Sequence, residues 1–232
     1  MSVIFLGKED IENKANEINK KYDLERLEKP KPIDIFDLSE SIGSRLSISC
    51  LSKDHSVWGA TIFTECCLNV YCINESSKQI SKEPRIFEPG TIVIDNSFLE
   101  NPPDKIKRKE NFTMAHESFH FLYHDYFLGN AGVHSDIKLD IFSNQLSDDI
   151  SKIEWQANYG AACILMPRKV VFSEFKALPE GVLTKDTLER NHAIEKMAER
   201  FGVNFSPMKY RLINLGLMPP EKEKEPKLFK TE

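Results

Sequence analysis

The residues best suited to chemistry lie in the run His116-Glu117-Ser118-Phe119-His120, which matches the pattern H-E-x-x-H. On a helix, residues four positions apart project from the same face one turn on, so both imidazoles can reach a single cation. The carboxylate of Glu117 stands beside them and can act as a general base. The run therefore predicts two ligands of a metal ion, His116 and His120, with a base next to them.

A third ligand must come from elsewhere, because zinc in a hydrolytic site generally takes three protein ligands and leaves one position open for water. Residues 147–166 predict a helix whose apolar face includes Glu154. A carboxylate there is costly unless a cation or a metal compensates its charge. Glu154 is therefore the leading candidate for the third ligand. Asn158, one turn further on, is a candidate to form a hydrogen bond with one of the metal-binding side chains and so to orient it.

The sequence leaves other assignments open. Glu154 can instead form a salt bridge with a lysine or arginine at the edge of the core. Three further side chains are lower-ranking candidates for the third ligand: Asp140, His134 and His192. His124 lies about 12 Å along the helix axis from His116, too far to bind the same ion. We therefore expect an ordinary hydrogen-bonded histidine at His124; a place behind the ligands or at the rim of the site is the alternative for His124 and for Tyr123.

Two predicted helices must position these groups. The first begins at about residue 104 or 108, ends at residue 127 and carries the H-E-x-x-H run, with an apolar sector beside the histidines. The second spans residues 147–166 and stops at Pro167. Small residues on the second helix, Gly160 among them, would let the two helices approach closely.

The rest of the chain supplies a small sheet and further helices. Hydrophobic periodicity predicts helices over residues 9–27 and 33–42. Residues of high β-propensity predict three strand segments, 46–51, 58–73 and 91–94, and the polar stretch 74–89 predicts a long loop. Residues up to about 217 are mostly helical in pattern. The expected fold class is α+β, with a small sheet packed with the H-E-x-x-H helix and a second ligand-bearing helix, followed by a helical C-terminal region.

Composition excludes several classes of protein. The 232 residues are 41% hydrophobic and 29% charged, which argues against a disordered chain or a collagen-like fibre. The five cysteines include no C-x-x-C pair, so neither a disulfide framework nor a thiolate zinc site is favoured. No apolar run approaches the roughly 20 residues that cross a bilayer. We expect a cytoplasmic protein without a membrane partner.

Two blocks of sequence resemble a known family, the ImmA/IrrE-type zinc metallopeptidases. Residues 111–120 resemble its phenylalanine-threonine-x-alanine-histidine-glutamate block. Residues 154–167 resemble its glutamate-x-x-alanine-asparagine block, which ends in leucine-methionine-proline. The resemblance covers about residues 10–217. The family usually has glycine at the position of Phe119 and an aromatic residue at that of Gly160, an exchange that could compensate across facing helices.

The resemblance implies an activity as well as a fold. It implies a gluzincin-like minimal metallopeptidase with one zinc ion per chain, bound by His116, His120 and Glu154, and with Glu117 as catalytic base. It also implies a protein substrate, a helix-turn-helix repressor of a mobile element, a prophage or a stress response. Residues 1–170 would then form the metallopeptidase domain, residues 171–220 a helical region and residues 221–232 a charged flexible tail.

The strand that precedes the H-E-x-x-H helix suggests how such a substrate could bind. An extended peptide can add to an exposed sheet edge as a further strand. We expect residues 91–94 to offer that edge, with Ile92, Val93 and Ile94 as the substrate-binding residues.

A DNA-binding or protein-binding transcriptional regulator with a vestigial metal site is the alternative function. Residues 192–217 have the spacing of a helix-turn-helix, with a turn at Gly202. Residues 185–211 nevertheless hold six Lys or Arg and four Asp or Glu, which is a poor phosphate-binding surface. A helical brace or a substrate-docking unit is the expected role, and DNA binding through this segment, involving Lys209 and Arg211, is the alternative.

Overall fold

The structure is a computed structural model that describes residues 5–73, 80–95, 103–125, 133–134, 144–184 and 187–219. Asp140 and the tail 221–232, both named above, lie outside these residues. For His134 the description extends to the backbone alone.

The described residues form seven α-helices and six strands, which confirms the α+β class. The helices are α1 (Lys8–Tyr22), α2 (Ile35–Ile42), α3 (Asp104–Tyr123), α4 (Asn144–Leu165), α5 (Arg168–Lys176), α6 (Thr187–Phe201) and α7 (Phe205–Asn214). The strands are β1 (Arg45–Ile48), β2 (Gly59–Ile62), β3 (Cys66–Ile73), β4 (Ile80–Phe87), β5 (Thr91–Ile94) and β6 (Val133–His134). Short 3₁₀ turns follow α1 and precede α6. Among these described helices, none is long and apolar enough to cross a membrane.

The main sheet is mixed and has four strands in the order β1-β5-β2-β6. β5 runs parallel to β1 on one side and antiparallel to β2 on the other. Both of its edges are therefore occupied, and Ile92, Val93 and Ile94 are fully buried. The prediction that these residues offer a free edge to a substrate is wrong, because a buried apolar strand is more typical of a sheet's centre than of its edge.

A second sheet consists of β3 and β4 in an antiparallel ribbon. β4 lies within the segment that the sequence predicted to be a loop, so that prediction is wrong for residues 80–87. In this strand only Phe87 is buried, and a strand exposed on both faces lacks the hydrophobic alternation by which strands are recognised. Pro84 is tolerated because the ribbon has just two strands, so β4 is an edge strand.

α3 packs against β2 and β5 and also against α4, which brings the two helices of interest together. Phe119 of α3 is fully buried, and its ring lies directly on Gly160 of α4. A Cβ built on Gly160 would stand 2.5 Å from the ring Cγ, closer than real side chains allow. The large residue on one helix therefore fills the space that the glycine leaves on the other.

The C-terminal helices join the same hydrophobic core as α3 and α4. The connection between α6 and α7 turns at Gly202, whose φ is +65°. Arg211 of α7 is completely buried, and its two Nη atoms donate to the Glu12 carboxylate of α1 at 2.7 and 2.9 Å. Its Nε donates to the carbonyl of Met166 at 3.0 Å. Since Arg211 is enclosed, it cannot contact a DNA phosphate in this fold.

The burial of Arg211 leads to a prediction about stability. Removing one partner of a buried ion pair leaves an uncompensated charge, so Arg211→Ala should lower the free energy of unfolding by about 3–5 kcal/mol. Urea denaturation followed by circular dichroism measures this change. Lys196→Ala, at an exposed position of α6, is the control and should stay within about 0.5 kcal/mol of the native protein. A similarly small change in Arg211→Ala would contradict the assigned role.

Candidate metal centre

Side chains of α3 and α4 converge on one point. The Nε2 atom of His116 lies 3.3 Å from Oε2 of Glu154, and Nε2 of His120 lies 3.3 Å from Oε1 of the same carboxylate. The two Nε2 atoms are 2.9 Å apart. The His120 side chain is fully buried, whereas those of His116 and Glu154 remain 15% and 21% exposed. The cluster is thus enclosed on the side of the core and accessible from solvent on the other.

These distances fit a zinc ion. In a tetrahedral site with zinc–nitrogen and zinc–oxygen bonds of about 2.0–2.1 Å, neighbouring donor atoms lie about 3.3 Å apart. The arrangement of His116, His120 and Glu154 therefore matches one face of such a tetrahedron and leaves the fourth position open. Two imidazoles and a carboxylate are also a donor set that zinc readily accepts.

Further side chains contact the outer nitrogens of both imidazoles. The Nδ1 atom of His116 lies 3.2 Å from Oδ1 of Asn158, which can accept a hydrogen bond from the Nδ1–H group. The Nδ1 atom of His120 lies 2.8 Å from Nδ1 of His124. A hydrogen bond at Nδ1 fixes the tautomer that leaves the Nε2 lone pair available to a metal. Asn158 and His124 thus lie behind the two imidazoles, on the side away from Glu154.

Glu117, the residue after His116, is held by β2. Its carboxylate Oε2 accepts a hydrogen bond of 2.7 Å from the hydroxyl of Thr61, and both residues are buried. The approach of β2 to α3 requires Gly59, where a Cβ would stand 2.7 Å from Cγ2 of Thr113 and 3.0 Å from Cγ of Glu117. Sequence reasoning missed Thr61 and Gly59. A glycine inside a strand pattern was the available signal, because it often marks a close backbone approach.

Tyr123 and His192 are not brought to the cluster. The Tyr123 hydroxyl lies 3.5 Å from the carbonyl of Lys14 in α1, and the Lys14 ammonium lies 4.1 Å from the centre of its ring. Burial raises the pKa of Tyr123 to about 12, so the phenol stays neutral. His192 is exposed on α6. Among the described residues, Glu154 is the carboxylate that meets the two histidines of α3.

The chain matches one family model, that of the IrrE N-terminal-like domain in the peptidase family M78, over residues 102–212. No curated protein matches the chain significantly. The matched segment contains α3 and α4 with the whole His116, His120 and Glu154 cluster. Residues 102–212 are therefore similar to the IrrE-like peptidases, which confirms the resemblance seen in the sequence and supports a metallopeptidase function.

The geometry predicts how metal content responds to substitution. Removing Glu154 or His120 takes away one of three converging donors, so Glu154→Ala and His120→Ala should each bind one equivalent of zinc fewer per chain than the native protein. Elemental analysis of protein purified without chelators measures this. His192→Ala replaces an exposed histidine outside the cluster and should leave the content unchanged. A native zinc content in folded Glu154→Ala would show that the third ligand lies elsewhere.

Proposed function

We propose that this protein is a zinc-dependent endopeptidase that hydrolyses peptide bonds in a specific protein substrate. The observation that carries the proposal is the convergence of His116, His120 and Glu154 on one point, at donor spacings suited to zinc, with the buried Glu117 on the same helix as the two histidines. A gluzincin-like site needs these four groups: two histidines and a base from one helix, and a carboxylate from a second helix.

The residues of the site divide the chemical work between them. When bound, zinc lowers the pKa of a water molecule and polarises the scissile carbonyl. His116, His120 and Glu154 would hold the ion, and the hydrogen bonds at Nδ1 of the two histidines keep their rings oriented. Glu117 takes the proton from the attacking water and passes it to the leaving amine. The Thr61 hydroxyl holds the Glu117 carboxylate in position for both transfers.

A cavity beside the cluster offers room for part of a substrate. It has a volume of about 350 Å³ and lies between α4 and α7. Asn158, which contacts His116, forms part of its wall, and much of the rest is aromatic, contributed by Phe112, Trp155, Tyr159 and Tyr210. An apolar substrate side chain could bind there, on the outer side of His116.

The proposed substrate is a helix-turn-helix transcriptional repressor of a mobile element, a prophage or a stress response. The support for this is the IrrE-like segment of the chain, together with the resemblance of its two motif blocks to peptidases that relieve repression. The direct test is incubation of the zinc-loaded protein with a helix-turn-helix repressor encoded beside its own gene. Cleavage at a defined site, abolished by a chelator, would support the proposal, whereas an intact repressor would oppose this substrate.

Replacing the base should separate metal binding from turnover. Glu117→Gln keeps the size of the side chain but removes its basicity, so zinc content should stay native while kcat/KM falls by about 10² to 10⁴-fold. Cleavage of a sensitive peptide or repressor substrate measures the rate, and elemental analysis measures the zinc. Retained cleavage would rule out Glu117 as the base.

We expect the Thr61 hydroxyl to affect catalysis only by orienting the Glu117 carboxylate. Thr61→Val removes a hydrogen bond to a carboxylate, worth about 1.5–3 kcal/mol, so kcat should fall by about 10 to 100-fold with zinc content unchanged. Thr64→Val makes the same substitution at an exposed position just beyond β2 and should have native activity. Combining Thr61→Val with Glu117→Gln should add little, since the group that Thr61 orients is already inactive.

A further inference from the structure

A second cluster of potential ligands lies at the end of the main sheet. Cys50 follows β1, His55 lies in the loop from β1 to β2, and Asp95 directly follows β5. Backbone hydrogen bonds fix this end of the sheet: the amide of Ser49 donates to the carbonyl of Ile94, and that of Asp95 donates to the carbonyl of Trp58. The backbone that carries Cys50 and Asp95 is therefore fixed by the sheet.

The donor atoms of the three residues lie close enough together to share one metal ion. Nδ1 of His55 is 2.8 Å from Oδ1 of Asp95, and Sγ of Cys50 is 3.6 Å from the same Nδ1. One donor atom from each residue lies within 4.8 Å of the others. A tetrahedral zinc ion, bound at about 2.3 Å by sulfur and about 2.0–2.1 Å by nitrogen, places those two donors about 3.6 Å apart.

We propose that Cys50, His55 and Asp95 form a second metal site, which binds a thiophilic divalent cation such as zinc. One sulfur, one nitrogen and one oxygen donor suit zinc or cobalt and are unsuited to magnesium or calcium, which take oxygen ligands. The site shares no residue with the cluster of His116, His120 and Glu154, so it does not depend on the proposed peptidase activity.

Burial and backbone geometry show that the cluster is organised before a metal binds. Cys50 is 5% exposed and Asp95 is 1% exposed, whereas the His55 ring is partly open to solvent and leaves a path for an ion. His55 has a φ of +54°, which is uncommon for a residue other than glycine. The carbonyl of Cys50 also accepts a hydrogen bond of 2.9 Å from the amide of Tyr71, which fixes its backbone.

A nucleophilic triad is the competing interpretation, and the geometry opposes it. In a triad the imidazole contacts the nucleophile with one nitrogen and the carboxylate with the other. Here Cys50 and Asp95 both approach Nδ1 of His55. Burial and the nearby Asp95 carboxylate also raise the pKa of Cys50 to about 11, so the thiol is protonated at neutral pH unless a cation binds it.

A metal ion bound at this cluster would affect β2, the strand that holds Glu117. The loop that carries His55 leads within four residues to Gly59, the start of β2, and β2 holds Glu117 through Thr61. A metal that joins this loop to the end of β5 would restrain the strand that orients the proposed base. The second site is thus placed to stabilise the first without contributing to its chemistry.

Cobalt titration of the metal-free full-length protein distinguishes the two sites. A thiolate ligand gives cobalt a charge-transfer band in the near ultraviolet, and His116, His120 and Glu154 contain no sulfur, so the band reports on the second site alone. We expect two equivalents of cobalt per chain and a band that saturates with one of them. Cys50→Ser should abolish the band and remove one equivalent.

Matched variants make the test specific. His55→Asn keeps a residue type that tolerates positive φ while removing the imidazole, and should weaken cobalt binding at this site at least about 10-fold. Cys67→Ser removes an exposed thiol and should leave the band intact. The absence of a sulfur band in the folded native protein, or a band that survives Cys50→Ser, would overturn the proposal. If cobalt binds at Cys50, His55 and Asp95 but not at His116, His120 and Glu154, the result would instead count against the proposed peptidase.

Discussion

The half-buried carboxylate of Glu154 lies on the otherwise apolar face of α4, where it would be unfavourable without compensation. Its oxygens face the two imidazoles of α3, and the compensation that fits all three groups is a shared cation. This requirement determines how α3 and α4 must pack, because a shift of one ångström would change the donor spacings that suit zinc. The close packing of Phe119 on Gly160 sets that separation.

The far end of α4 is fixed by buried polar groups. The side chains of Asn19 and Arg26 donate to the carbonyl of Ile164 at 2.9 and 3.1 Å, and Arg211 donates to that of Met166 at 3.0 Å. The last carbonyls of a helix have no partner within it and carry partial negative charge, so arginines satisfy and stabilise them. Burial lowers the pKa of Arg26 to about 10, which still leaves it charged at neutral pH. The helix that presents Glu154 is thereby anchored to α1 and α7.

The sequence predicts the positions of side chains best when the residues concerned lie on a single helix. The spacing of His116 and His120 on one helix predicts their common direction, and a glutamate within an apolar face predicts a compensating partner. Sequence reasoning failed where the decisive contact joins distant elements. Thr61 reaches Glu117 across 56 residues, and Cys50 with His55 meets Asp95 only because β1 and β5 are neighbours. β4 was missed for another reason: an exposed strand need not alternate between apolar and polar residues.

The contact between Phe119 and Gly160 has a consequence for recombination within the family. The two positions lie on different helices, 41 residues apart in the sequence, yet they share one volume. A chimera that takes α3 from a relative with glycine at the first position, and keeps α4 from this chain, would have a void between the helices. The reciprocal chimera would place two aromatic rings in the same space. A chimera should therefore take both positions from the same parent, which means that α3 and α4 should be exchanged together.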